Sequence, residues 1–236
     1  MSGPPPDRTP AQAPGQPAEG LRERKKRLMR QQLSDTATAM FLERGFDGVR
    51  VAEVAAACGV SEKTVFNYFP AKEALVMDRL EDQLAALGAG LSDPGLTPTE
   101  AALRVLDQEL GAMTGWLAAR EDAAQVREAV RRFGDLIRAT PALRAYQADM
   151  TDQAASAAAG VLAARAGMTA DDPEPQIAAR ALLGLWRVQA DSLRRHLDRV
   201  ATPELLHEQV TADVRRAARL IDTGLRTFAV SPPGRG

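Results

Sequence analysis

The chain has 236 residues, 45% of them hydrophobic but only 4% aromatic, with Ala and Leu dominant and few β-branched runs, so the expected class is all-α. A single cysteine excludes a disulfide framework within the chain, and no apolar run approaches the ~18 residues of a membrane span, which points to a cytoplasmic protein. The net charge of −1 argues by itself against nucleic acid as a partner, but the charge is unevenly placed: residues 21–72 hold ten Lys/Arg against six Asp/Glu, a local excess of +4.

Residues 1–20 carry six prolines and three glycines with few apolar side chains, and are expected to form a disordered leader. Residues 21–30 follow with six basic side chains and one acidic one. Such a run is either a solvated helix end or, given what comes next, a contact for phosphates or the minor groove. A first helix has Leu33, Ala37, Met40 and Phe41 on one face; Gly45 ends it, and Phe46 can fold back onto it.

Val51, Val54, Ala55 and Cys58 then recur at i, i+3, i+4 and i+7, and Gly59 supplies a permissive turn. Ser61 is a candidate N-cap for a second short helix, Glu62 to Phe69, stopped by Pro70. Two short helices joined by a tight glycine turn read as a helix-turn-helix, closing a DNA-binding domain at 21–72. Val65 and Phe69 can pack inward, leaving Lys63, Thr64, Phe66, Asn67 and Tyr68 on the outer sides. Those types suit base edges and phosphates: lysine for phosphate or guanine, asparagine for adenine, threonine and phenylalanine for the thymine methyl.

Residues 73–97 read as a connecting helix, with Leu75, Leu80, Leu84 and Leu87 inward, and a linker where Gly, Pro and Thr-Pro break the pattern between Gly88 and Pro98. Five further helices are expected at about 98–119, 122–139, 141–166, 173–200 and 203–228, opened by Pro, Asp or Thr-Pro, which makes about nine in all. They would form a larger regulatory domain at 98–230. The fourth of these five has one stripe of Ile177, Ala181, Gly184, Leu185 and Val188 and a second of Leu182, Trp186, Leu193 and Leu197. The last carries Leu206, Val210, Val214, Ala217, Ile221, Leu225 and Phe228. A helix apolar on two sides needs two partners, so a homodimer through the last two helices is expected, with a purely intramolecular bundle as the other reading.

Catalytic chemistry finds little support. The two histidines, His196 and His207, sit among charged helical neighbours, and Glu204 with His207 at i, i+3 lacks further metal ligands on other helices. Cys58 reads as a small core filler, and no phosphate-cradling or dinucleotide-binding glycine pattern occurs. The expectation is a non-enzyme with no catalytic residues, metal or cofactor. Met113, Trp116, Phe133, Ile137, Met150, Leu183 and Trp186 could line an effector cavity, with Gln189 orienting a polar group, although each fits ordinary core as well.

The motif Phe41-x-x-x-Gly45-Phe46-x-x-Val49-Arg50-Val51-x-x-Val54-Ala55-x-x-Cys58-Gly59-Val60-Ser61-x-x-Thr64-Val65-Phe66-x-Tyr68-Phe69-x-x-Lys72-Glu73-x-Leu75 resembles the amino-terminal domain of TetR-type transcriptional repressors. The resemblance implies that Tyr68 and Lys72 hold DNA phosphates, that the last two helices form a four-helix bundle across a two-fold axis, and that the protein reads a palindromic operator as a homodimer. Lys63, Thr64 and Asn67 would then read bases. The chain departs from the family where Val49-Arg50 replaces a Thr-Thr pair, so a hydroxyl cap is lost and Arg50 would supply the phosphate contact by charge. Phe66 replaces a common tyrosine, and Glu62 either favours the positive end of its helix or accepts from a cytosine amino group. The run Thr140-Pro-Ala-Leu-Arg144 and the segment 167–172 resemble, more loosely, a subgroup that binds acyl-CoA-like ligands. The expected function is a ligand-responsive repressor released by a small apolar effector, acyl-CoA-like in one version; a constitutive or activating DNA-binding regulator is the alternative.

Overall fold

The computed structural model describes residues 20–120 and 122–224, so the expectation of a disordered leader, and the positions of Leu225 and Phe228, lie outside the described residues. Within them the chain is all-helical, with nine helices: α1 (Leu21–Arg44), α2 (Val51–Ala57), α3 (Glu62–Tyr68), α4 (Ala74–Ser92), α5 (Pro98–Ala118), α6 (Ala123–Ala139), α7 (Pro141–Ala166), α8 (Pro173–His196) and α9 (Pro203–Gly224).

Two apolar cores organise them. The first gathers Leu33, Phe41, Phe46, Val54, Val65, Phe69 and Leu75 from α1 to the start of α4. The second gathers Leu87, Leu91, Leu106, Leu110, Leu162, Leu182, Leu206 and Val210 from the end of α4 through α5, α7, α8 and α9. One helix, α4, therefore belongs to both. It is not broken at its glycines, because Gly88 and Gly90 are both helical and the chain leaves the helix only at Asp93. A Cβ at Gly90 would stand 3.2 Å from that of Ala101, so glycine lets α4 and α5 approach closely there.

Helix starts follow the sequence signals. Thr97 and Glu100 form a reciprocal capping box at α5, with bonds of 3.2 and 2.8 Å, and the Asp122 carboxylate accepts from the Gln125 amide at 2.9 Å to open α6. The sequence-based end of α8 is four residues too late: the helix closes at His196, and Arg199 and Val200 turn back onto its carbonyl.

α8 and α9 are stapled by Asp213. Its carboxylate accepts from the fully buried Ser192 hydroxyl at 2.7 Å, from Arg195 at 2.8 Å and from Arg216 at 2.6 Å, with His196 Nε2 at 3.2 Å. These bonds, Ser192 first, hold the carboxyl down at about 2 despite its partial burial. The Asp213→Ala variant is expected to unfold more easily by about 2 kcal/mol, chiefly because the Ser192 hydroxyl is left buried without an acceptor. The loss should shrink as pH falls towards 2, where the native carboxyl itself takes up a proton; urea titrations at pH 7 and pH 3 measure it.

Candidate nucleic-acid interface

The turn between α2 and α3 is built by its glycine. Gly59 has φ +69°, its N–H donates to Ala56 O at 3.1 Å, and the Val60 N–H reaches Ala55 O at 3.0 Å. That pair of bonds is a Schellman closure, which requires a left-handed residue at this point. The Ser61 hydroxyl accepts from the Thr64 amide at 3.1 Å and also lies 2.8 Å from the Thr64 hydroxyl, capping α3 as its sequence suggests. Val65 and Phe69 are buried, while Lys63 and Asn67 are exposed, Thr64 and Tyr68 half-buried, and Phe66 46% exposed. The inward and outward faces of α3 are those the sequence predicts.

With no hydroxyl cap at α2, a carboxylate forms the other half of a capping box. Glu53 accepts from the Arg50 backbone N–H at 2.7 Å and from the Arg44 guanidinium at 2.8 Å. The backbone bond, then Arg44, holds its carboxyl below the usual range. Arginine has no acceptor, so the Arg50 side chain takes no part in the cap and lies exposed.

Two cations brace the reading head from behind. The Lys72 ammonium donates to the Phe46 carbonyl at 2.5 Å and lies 4.2 Å from the Phe46 ring centre and 5.4 Å from that of Phe41. This lysine, a phosphate contact by resemblance, is therefore turned into its own domain, where it fixes the corner between α1 and α2. Arg30 donates to Asp78 Oδ1 and Glu81 Oε2, each at 2.5 Å, and to the Tyr68 carbonyl at 3.0 Å, while its guanidinium covers the Phe69 ring at 4.8 Å. One side chain thus joins α1, the end of α3 and α4. Burial pushes the Asp78 carboxyl up, against the pull of Arg30.

The basic stretch is a helix and not an extended arm. α1 starts at Leu21, and residues 21–28 lie exposed along its first two turns.

The eight candidate effector-lining residues do not share one cavity. Phe133, Ile137 and Met150 pack against the first core, beside Leu143, which is fully buried there. The corner between α6 and α7 is therefore docked on the reading head, and Arg132 donates to the Leu42 carbonyl across the same contact. Met113, Leu183 and Trp186 belong to the second core, and Trp116 is 42% exposed beneath the Arg120 guanidinium. Gln189 is buried and lines a cavity of about 20 Å³ with Leu103, Leu106, Asp107, Thr211, Val214 and Arg215. That is room for about one water, so a larger effector requires α5, α8 and α9 to part.

One acidic group in this region has no forecast in the sequence pattern. Glu109 on α5 is largely buried between α4 and α8, and burial drives its carboxyl up to about 7, with Gln83, Trp186 and Arg79 pulling the other way. Arg30, Glu109 and Leu143 were invisible as site residues, because each acts through a partner far away in sequence, whereas Glu53 stands only three residues from the Arg50 amide it accepts from. The one local clue was Glu109 itself, an acid directly before the apolar Leu110.

Family models match the chain at both its head and its regulatory domain. Residues 33–77 match the model of bacterial regulatory proteins of the tetR family, and residues 99–221 match that of the MftR C-terminal domain. The HTH-type transcriptional regulator TcmR of Streptomyces glaucescens is 28% identical over 155 residues, 65% of this chain and 67% of TcmR. The mycofactocin biosynthesis transcriptional regulator MftR of Mycobacterium tuberculosis is 28% identical over 153 residues, covering 65% of this chain and 73% of that protein. Among solved structures, a TetR-family regulator from Mesorhizobium loti has 18% identity and a TM-score of 0.42 over 83% of this chain and 98% of its own. Another from Streptomyces coelicolor has 23% identity and a TM-score of 0.36 over 88% and 90%. With a helix-turn-helix at its head and a family match over more than half its length, the chain belongs to the TetR family of DNA-binding transcriptional regulators.

Proposed function

We propose that the protein is a cytoplasmic, homodimeric repressor that binds a partly palindromic operator and leaves it when a small effector binds the regulatory domain. The observation that carries this reading is the outer face of α3, where Lys63 and Asn67 stand exposed on a frame closed by the Gly59 turn and the Ser61 cap. Lys63, Thr64 and Asn67 read base edges, while Arg50 and Tyr68 set the register on phosphates, joined by Lys72 once its ammonium leaves the Phe46 carbonyl that holds it in the free protein. The Thr64 hydroxyl is already bonded to Ser61, so its methyl is the group offered to a thymine. The helical start of α1 favours phosphate contact over minor-groove insertion, because a groove ~6 Å wide does not admit a helix.

Dimerisation is supported by the outward face of α8, where Ile177 is 68% exposed and Gly184 exposed, with Ala181 and Val188 half-buried. On α9, Leu220 is 84% exposed. Covering these faces with a second copy removes apolar area from water and sets two recognition helices about one DNA turn, ~34 Å, apart. The effector acts only as far as it prefers the conformation that cannot bind DNA, and α4, shared by both cores, is the element it must move.

A gel-shift titration against the DNA upstream of the protein's own gene, at two salt concentrations, with and without long-chain acyl-CoA, tests the reading. A specific, salt-sensitive complex released by acyl-CoA is the expected result for an acyl-CoA-like effector. A complex that ignores acyl-CoA keeps the repressor and discards that ligand, and a failure to bind any genomic fragment specifically overturns the DNA-binding assignment.

A further inference from the structure

Two regulatory helices take part in the core of the reading head. α6 begins on the second core with Val126 and Val130 and ends on the first, where Phe133, Leu136 and Ile137 follow at i, i+3 and i+4. α7 continues that surface with Leu143, Tyr146 and Met150 at i, i+3 and i+7. Leu143 is fully buried in the core that holds Leu33, Phe41 and Leu75. A single residue, Thr140, both ends α6 and opens α7. It is buried, and Pro141 fixes the next φ, so the corner between the two helices has few ways to bend.

The far end of α7 holds the other end of the connecting helix. Arg165 donates to the Leu91 carbonyl in the last turn of α4 at 2.9 Å, and to the Asp93 and Leu96 carbonyls just beyond it at 3.5 and 2.7 Å. Carbonyls at a helix end lack partners within the helix, so the guanidinium is a natural clamp there. Between these two points α7 packs along α4. α4 is therefore not a lone lever: α7 ties it to the head at Leu143 and to the regulatory domain at Arg165. Small angles matter here. α4 has 19 residues, about 28 Å, so a tilt of only ~7° carries its head end ~3.4 Å, the rise of one base pair.

We propose that Leu143 is a positioning residue for DNA recognition: by seating the α6–α7 corner in the head core it fixes the angle of each head on its regulatory domain, and so the half-site spacing that a dimer accepts. The inference rests on the homodimer reading above. Leu143 is fully buried and acts through the orientation of the head. Arg132, which donates to the Leu42 carbonyl across the same contact, resists the same rotation, as do Tyr146 and Met150 packed beside it. A head released from the corner still reads a half-site, because the parts that shape α3, namely Val65, Phe69, the Gly59 turn and the Ser61 cap, lie within the head. What it loses is the register between two half-sites. An effector must then carry α4 and α7 together, or unseat Leu143.

The test uses the full chain and the operator fragment from its own upstream DNA, with the half-sites moved one or two base pairs apart or together, and a duplex that holds one half-site. Wild-type protein should bind the native spacing at least ~10-fold more tightly than the shifted ones. In Leu143→Ala that preference should fall to about 3-fold or less with half-site affinity unchanged, and Leu143→Met should restore it. Leu162→Ala is the control, since Leu162 is a fully buried leucine of the same helix in the second core. It should lower the melting temperature as Leu143→Ala does and keep the spacing preference. A preference that survives in Leu143→Ala, a half-site affinity that falls with it, or an equal loss of preference in Leu162→Ala overturns the role of Leu143. If circular dichroism shows Leu143→Ala unfolded, Met150→Ala, half-buried on the same face, decides by the same readings. A wild-type protein that accepts every spacing alike removes the homodimer reading and this inference with it, whereas a preference kept by Leu143→Ala leaves the homodimer standing.

Discussion

Asn67→Ala should leave the fold intact and reduce the preference for operator over scrambled DNA by ~10- to 100-fold, the discrimination carried by one bidentate base contact. Asn67 is exposed and supports no core, so its loss has little to disturb within the protein. Lys72→Ala should behave differently on two counts. Affinity for operator and scrambled DNA should fall together, because phosphate contacts carry no sequence information. The head should also lose about 1–2 kcal/mol of stability, because the Phe46 carbonyl loses its donor and the two rings lose their cation. Parallel gel shifts at fixed salt, together with thermal melts, separate the two effects. An equal loss of specificity in both variants would remove Asn67 from base reading, and a Lys72→Ala variant with unchanged melting would show the ammonium to be incidental to the fold.

Glu109→Gln should stabilise the protein at pH 8 by roughly 3 kcal/mol and change little at pH 4. The sign follows from the direction of the shift. Burial raises the folded carboxyl to about 7 from an ordinary 4.5, so below the lower value it is neutral in both states and folding bears no charge penalty. As pH rises between the two values, the unfolded chain releases the proton while the folded chain holds it, and stability falls. Above 7 the carboxylate is charged in both states and the loss is constant. Glutamine carries no charge at any pH and so escapes the loss, while keeping nearly the same shape. Urea midpoints of both proteins at pH 4, 6 and 8 provide the curve. A gap that does not widen with pH would mean that Gln83, Trp186 and Arg79, or water, offset the burial of the carboxylate.

Much of the reading head was legible in the chain because its determinants are local. The inward face of α3 depends on the spacing of Val65 and Phe69, its start on Ser61, and the turn before it on Gly59, each acting within about one helical turn. The starts of α5 to α8 follow from Thr97, Asp122 and the prolines at 141 and 173 for the same reason. Gly88 and Gly90 misled only in strength: glycine costs a helix ~1 kcal/mol, and packing against α5 outweighs that.

The effector residues were harder to read, because a large apolar side chain on an amphipathic helix looks the same whichever core receives it. Phe133, Ile137 and Met150 went to the first core and Leu183 and Trp186 to the second, a division made by how α6 and α7 fold back across α1 and α4. Lys72 was legible as a cation at the right distance from α3, but the Phe46 carbonyl that holds it lies 26 residues earlier.

The sequence by itself determined the helical class, the helix-turn-helix and the face it presents, since caps, turns and helical periodicity act over a few residues. Only the tertiary structure decided that α4 is common to both cores, that Arg30 ties it to the recognition helix, and that Glu109 is buried beside Trp186. Those properties depend on which helices meet, and burial and charge pairing are set by neighbours that the chain brings together only when it folds.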